Sequence, residues 1–422
     1  MHTYRPLSHI TPSKGWINDP NGFVYFKGEY HLFTQHNPYK TEWGPMHWLH
    51  FVSKDLVNWK EVGVALKPDA PYDKEYGCFS GSSIVKDDIL YVLYTGALYG
   101  RQVQCLAISE DGYSFQKYSK NPIIGEKELP KGYLIQDFRD PKVFEKDGVY
   151  YVLLAARHKK GYSSILLYKS KDLMEYKYVG VIKSFDNLTD DGMVECPDII
   201  YQGDKCALIY SLQNARNEGE KFQNRFTIAY QVGKIDLAKA KFTPLGDEHE
   251  LDKGFESYAS HTLSKDGKNY IVYWESTWVS NYPTQVEGYA GQLSLIKEVK
   301  IVDDKLVMDF LPNEKIDKIR VQVNEDVGEL HLNNLVISFD KRANKVTIER
   351  KEMDIAIVDG NNTPIEKRYF YLKQMECVDI AYSYDNSCVE LSFNNGEAFA
   401  SLLNIKKCSG VDIKTSGLTR LE

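Results

Sequence analysis

The chain is predicted to be all-β: a five-bladed β-propeller over residues 1–311, followed by a small, shortened β-sandwich over residues 312–422. Three observations predict it. Helix-period patterns are scarce, and short apolar runs alternate with Gly, Asp and Asn turns. One hairpin pattern of apolar strand, polar turn and apolar-aromatic strand recurs five times. Past Pro312 that pattern stops, and Lys/Glu/Asp-rich turns separate short alternating strands such as Asn334–Phe339, Lys345–Ile348 and Cys388–Phe393.

The five hairpins run Phe23–Phe33, Ser83–Tyr94, Lys142–Leu154, Asp198–Tyr210 and Thr262–Tyr273. Their turns centre on positions 28, 88, 148, 203 and 267, separated by 60, 60, 55 and 64 residues. A strand-rich repeat of that length points to radial β-architecture. A second element follows the first three hairpins: Ser53-Lys54-Asp55-Leu56 leading to Trp59, Ser109-Glu110-Asp111-Gly112 leading to Phe115, and Ser170-Lys171-Asp172-Leu173 leading to Tyr176. Each reads as an outer strand entered through a polar turn.

Composition narrows the function. At 422 residues with 43% hydrophobic content, the chain can build two cores. Aromatics make up 13%, which suits strands and sugar-facing surfaces. A net charge of −7 argues against nucleic acid or anionic membrane as partner. The seven cysteines lack CxxC spacing, which predicts reduced thiols in the cytoplasm and neither disulfide framework nor zinc site. Met1 to Pro6 has no apolar signal core, and no run is long enough to span a bilayer. Two glycosylation-type triplets, at 187–189 and 361–363, are read as chance. Homo-oligomerisation is left open.

The acids carry the chemistry. Asp19 lies nine residues before Gly28, Asp140 eight before Gly148, and Glu195 eight before Gly203. The same register holds Phe79-Ser80 in the second repeat and Tyr258-Ala259 in the fifth. Each acid is expected where the innermost strand of its blade begins, so three carboxylates would converge in one axial funnel. Each is also followed by proline, in Asp19-Pro20, Asp140-Pro141 and Glu195-Cys196-Pro197, which fixes the backbone there. A single such acid is as easily a turn former. Three in register, with no metal-type His or Cys spacing, point instead to glycoside chemistry without metal or cofactor. One carboxylate attacks the anomeric carbon and another exchanges a proton with the leaving oxygen. Arg139 beside Asp140 would keep a buried carboxylate ionised.

Three stretches then carry a resemblance. Trp16-Ile17-Asn18-Asp19-Pro20-Asn21-Gly22, Phe138-Arg139-Asp140-Pro141 and Glu195-Cys196-Pro197-Asp198 resemble the signature motifs of glycoside hydrolase family 32, the invertases, sucrose-6-phosphate hydrolases and fructan hydrolases. Gln35-His36-Asn37-Pro38, Trp43 to Trp48 and Phe79 to Ser82 extend the likeness. The resemblance implies a retaining β-fructofuranosidase acting on sucrose, sucrose 6-phosphate or short fructo-oligosaccharides. It makes Asp19 the nucleophile, Asp140 the transition-state stabiliser and Glu195 the acid/base. It also sets Asn18, Gln35, Trp43, Phe79, Ser80, Arg139, Tyr258 and Trp274 around the fructosyl unit. The chain departs from the family pattern at Val194, at 211–216 and at 256–261, all of which bear on the leaving-group side. Arg157, His158, Lys159, Lys160, Arg216, Lys221 and Arg225 are candidates to meet a phosphate. Fructosyl transfer, or sugar binding without catalysis, are the alternatives on the same scaffold.

Overall fold

The computed structural model describes every residue except 1, 2, 187, 190, 191, 360, 362, 363, 409 and 422, so both glycosylation-type triplets lie partly outside the described residues. Five antiparallel sheets follow one another along the chain up to Phe310, and two five-stranded sheets are built from residues after it. No helix among the described residues is long and apolar enough to cross a membrane.

Each of the first five sheets opens with the strand that the repeat analysis singled out: Gly15–Phe26, Gly77–Lys86, Tyr133–Lys146, Val194–Gln202 and Tyr258–Lys265. These first strands touch in cyclic order, and the fifth touches the first. The junction between first and last sheets is tied by backbone. Tyr289-Ala290, inserted within the fifth repeat, pairs in parallel with Gly15-Trp16, and Leu293 N–H donates to Ile10 C=O at 2.9 Å. Gly291 makes the close approach possible. Its φ is +84°, and an added Cβ would lie 1.9 Å from the Ile17 carbonyl oxygen, so no larger residue fits. Trp16, Ile17, Trp274, Ala290 and Leu293 are all buried in one core shared by the two sheets.

The polar turns are built as one device. Ser53, Ser109 and Ser170 each accept from the backbone N–H three residues on through Oγ. Asp55, Asp111 and Asp172 each accept two more N–H groups through Oδ1. The residue after each aspartate, Leu56, Gly112 or Leu173, has positive φ. Serine and aspartate are needed because they satisfy donors that the turn strips from the ladder.

The C-terminal pair of sheets encloses its own core around Val321, Leu330, Ile337, Phe339, Val378 and Leu391. Its contact with the fifth repeat is buried and partly polar, with Phe399 packed among Ile271, Val299 and Met308. Arg350 donates to both oxygens of Glu256 at 2.7 and 2.8 Å and to the Leu403 carbonyl, and Leu403 N–H returns to Glu256. The seven cysteines are free.

One expectation needs correcting. Two of the acids do not begin their strands: Asp19 is the fifth residue of a twelve-residue strand, and Asp140 lies past the middle of a fourteen-residue one, whereas Glu195 is the second residue of Val194–Gln202. Trp16 and Ile17 still pair with Asn37 and His36, so the ladder continues through the Asn/Asp/Pro stretch. What reads as a turn in sequence is a bulge within a strand.

Candidate active site

Side chains alternate between faces in a regular strand, so neighbouring residues cannot both line one cavity. Here they do: Asn18 with Asp19, Phe79 with Ser80, and Arg139 with Asp140 all line one cavity of about 510 Å³. The bulges explain it. Each first strand carries a surplus residue against its partner at the cavity: between Ile17 and Pro20, Phe79 and Gly81, Arg139 and Lys142, Glu195 and Asp198, and Tyr258 and His261. A surplus residue breaks the two-residue period and re-aims the side chains on either side of it. Asp140, Cys196 and Ala259 take φ of 62°, 47° and 52° at these points, a conformation that costs a non-glycine residue about 1 kcal/mol or more. Pro141 and Pro197 fall in the unpaired stretch, where a missing N–H wastes no ladder bond.

The bulges bring three carboxylates to the cavity. Asp19 accepts from Ser80 Oγ at 2.6 Å on one oxygen and from Asn18 Nδ2 at 2.9 Å on the other. Asn18 is held in turn by the Trp16 indole N–H at 2.7 Å. Asp140 accepts from Cys196 N–H at 2.9 Å, and its own N–H donates to Thr95 Oγ1. Glu195 is gripped on both oxygens: Arg139 donates to Oε1 from Nη2 at 2.8 Å and Nε at 3.1 Å, and Tyr258 donates to Oε2 at 2.5 Å. Cys196 Sγ lies 3.6 Å from Asp19 and 3.8 Å from Asp140, so the residue next to Glu195 bridges the other two acids.

Burial pushes the Asp19 carboxyl above the ordinary carboxylate range; the Ser80 and Asn18 hydrogen bonds pull it back, and the nearby Glu195 charge adds to the rise. Burial likewise pushes Asp140 up to about 7, opposed by Arg139 and reinforced by Glu195 and Asp19. Burial alone would depress the Arg139 guanidinium, yet the carboxylates of Glu195, Asp140 and Asp137 hold it above its ordinary value. Burial and the surrounding carboxylates keep the Cys196 thiol and the Tyr258 phenol protonated. Both therefore act as donors and neither as a nucleophile.

Of the sequence-derived residues, Asn18, Gln35, Trp43, Phe79, Ser80 and Arg139 line the cavity with the three acids. Gln35 is fixed by donating to the Cys78 carbonyl at 2.9 Å. Trp43 stands at the mouth, 41% exposed, beside Tyr76 and Phe79. Tyr258 reaches the site only through its hydroxyl. Trp274 needs correcting: it is fully buried, edge-on to Trp16 at 5.8 Å and to Trp278 at 4.9 Å, and it backs the wall without lining it. Trp278 lines the cavity in its place. It follows the strand in an irregular segment, beyond the reach of any strand register.

Gln213, within the 211–216 stretch, lines the outer part of the cavity, and sequence reasoning missed Tyr76, Leu98, Gly100, Gln102, Gln136, Asp137 and Phe226 there. Gln102 sits at a hairpin end on the mouth side, as Gln213 does, the one signal that could have found it. None of the seven basic loop residues lines this cavity. Arg157 is paired with Asp137 at 3.1 Å, His158 stacks on Tyr162 at 4.5 Å, and Lys221 borders a separate groove. Away from the cavity, His9, Glu275 and Glu390 bring one nitrogen and two carboxylate oxygens within 4.8 Å of one another, a donor set able to hold a cation. The Lys297 ammonium already meets Glu390 there at 2.8 Å.

Comparison with known proteins places this arrangement. The model of the glycosyl hydrolases family 32 N-terminal domain matches residues 9–309. The chain is 34% identical to the sucrose-6-phosphate hydrolase of Bacillus subtilis, over 94% of this chain and 88% of that one. It is 36% identical to the raffinose invertase of Escherichia coli, over 76% and 67%. Against the sucrose-6-phosphate hydrolase of Zymomonas mobilis, at 35% identity, it spans 61% of the relative's length. Among solved structures, the sucrose-6-phosphate hydrolase from Lactobacillus gasseri superposes with a TM-score of 0.86 at 30% identity, covering 98% of this chain and 91% of that one. The Bombyx mori GH32 beta-fructofuranosidase superposes with a TM-score of 0.85 at 29% identity, covering 99% and 92%. With its acids gathered on the bulged strands of the matched region, the chain belongs to glycosyl hydrolases family 32 and is a glycoside hydrolase.

Proposed function

We propose that the protein is a retaining β-fructofuranosidase that cleaves the fructosyl bond of sucrose or short fructo-oligosaccharides in the cytoplasm, on a five-bladed β-propeller (1–311) carrying a β-sandwich (312–422). The observation that carries this is the gathering of Asp19, Asp140 and Glu195, from three separate sheets, in one cavity, with Asp19 and Asp140 bridged by Cys196 and Glu195 held by Arg139. Relatives named as sucrose-6-phosphate hydrolases and an invertase support the sugar. Free cysteines support the compartment.

In this mechanism an Asp19 oxygen attacks the anomeric carbon while Glu195 passes a proton to the departing glycosidic oxygen. Water then cleaves the fructosyl-aspartate ester, with Glu195 now taking the proton. Arg139 and Tyr258 hold the Glu195 carboxyl in one plane through both half-reactions. Asp140, fixed by Cys196 N–H, accepts sugar hydroxyls as positive charge grows at the ring.

Proton NMR of a fresh sucrose digest tests the reading. Fructose should appear first as the β-furanose, in equal amount to glucose. First appearance of the α-anomer would overturn the double displacement. Longer oligosaccharides at high sucrose would favour fructosyl transfer, and bound but uncleaved sucrose would favour a sugar-binding protein.

Ser80→Ala should shift the acidic limb of the kcat/KM profile. The lost hydroxyl favoured charged Asp19, so its pKa rises further and the limb moves to higher pH, by about half to one unit. An unmoved limb would mean that Asp19 does not titrate in the free enzyme's profile.

A further inference from the structure

The charges on the cavity wall discriminate between leaving groups. Its ionisable side chains are four carboxylates, Asp19, Asp137, Asp140 and Glu195, and one guanidinium, Arg139. That guanidinium is committed to Glu195 by two hydrogen bonds. The floor holds the three acids, so a leaving sugar meets the outer wall, which presents Gln102, Gln136, Gln213 and Asp137 beside Trp43 and Tyr76. Asp137 is 24% exposed at its side chain and is flanked by Arg139 at 3.4 Å and Arg157 at 3.1 Å. Arg157 is thereby neutralised before any ligand arrives. Arg101, next to Gln102, is likewise held by both oxygens of Glu126.

We infer that this wall selects an uncharged leaving sugar and rejects a phosphorylated one, with Asp137 as the residue that sets the preference. The inference rests on the fructosidase reading and parts from the names of several relatives. A phosphate monoester carries nearly two negative charges at neutral pH and is held in proteins by bidentate arginine or by lysine. Here it would enter a site whose lining holds four carboxyl groups and one guanidinium, and Arg157 behind it is already occupied by Asp137. Glutamine amides suit sugar hydroxyls, because they donate and accept without charge.

The test compares kcat/KM for sucrose and for sucrose 6-phosphate within each variant. The wild type should favour sucrose by about tenfold or more at low salt, and the ratio should shrink as ionic strength screens the wall. Asp137→Asn frees Arg157 and removes one repelling charge, so the ratio should fall severalfold even if the rate on sucrose also drops. Taking the ratio within one variant cancels any general loss of active protein. A wild type that prefers sucrose 6-phosphate, or an Asp137→Asn variant with an unchanged ratio, would overturn the inference while leaving the fructosidase reading intact. Binding of glucose against glucose 6-phosphate, read from the fluorescence of Trp43 and Trp278, separates the two claims in the other direction. If neither substrate turns over but glucose still binds more tightly, the fructosidase reading falls and the charge preference stands. Tighter binding of glucose 6-phosphate would sink the preference on its own.

Discussion

Asp19→Asn should lower sucrose turnover by about 10⁴-fold or more and, at neutral pH, raise the melting temperature by about 1–3 °C. The rate falls because an amide cannot form the fructosyl ester. The fold survives because asparagine keeps the size and can still meet Ser80 Oγ and Asn18. The stability gain follows from the sign of the Asp19 shift. Its folded pKa is raised above the unfolded value of about 3.8, so the folded state binds the proton more tightly. Stability is therefore lost as pH climbs from the unfolded towards the folded pKa, and the full cost is present above the latter. Asparagine removes that cost, so the variant should melt higher than wild type at pH 7. The gap should close at a pH low enough for wild-type Asp19 to be protonated. Initial rates and paired thermal melts at the two pH values check both halves. Near-normal turnover would remove Asp19 from the nucleophile's role, and a melting gap independent of pH would remove burial of its charge as the cause. Such a site trades stability for chemistry.

The pattern behind that trade was partly visible before any coordinates. The hairpin turns at 28, 88, 148, 203 and 267 survive as strand connections, and the acids keep their common register from those turns. Register survives because a tight turn pins both of its strands: eight residues back from Gly148 and from Gly203 lies the acid, and Asp19 lies nine back from Gly28 because its strand carries a second shift between Asn21 and Val24. The bulge itself was not legible. Asn-Asp-Pro has turn chemistry whether it ends a strand or bends within one, and only the pairing of Trp16 with Asn37 distinguishes the two. The cavity wall divides along the same line. Asn18, Ser80 and Arg139 sit beside the bulges and follow the repeat, whereas Trp278 and Asp137 are set by segment geometry that no period describes. Trp274 shows the opposite error. Its strand position beside Tyr258 is right, but the aromatic packing of Trp16, Trp278 and Tyr282 turns it into the core.

Glu195→Gln should lose about 10² to 10⁴ in kcat on sucrose, and the loss should depend on the leaving group. Sucrose departs as a sugar alkoxide and needs the proton. A fructoside with an acidic phenol as leaving group does not, so its first step should be nearly spared and an intermediate should accumulate. The second step still needs a base to activate water. Azide, which needs no base, should restore turnover of the activated substrate and give a fructosyl azide of retained configuration. The geometry makes glutamine a clean probe: Tyr258 can still donate to its carbonyl oxygen, and Arg139 keeps Asp137 and Asp140 as counter-charges. If the variant lost equal activity on both substrates and ignored azide, the loss would come from a displaced Arg139, and Glu195 would be a structural anchor for it. Rescue by azide with retention would instead require a carboxylate other than Glu195 to carry the fructosyl group, and Asp19, lining the same cavity and in contact with Cys196, is the acid placed to do so.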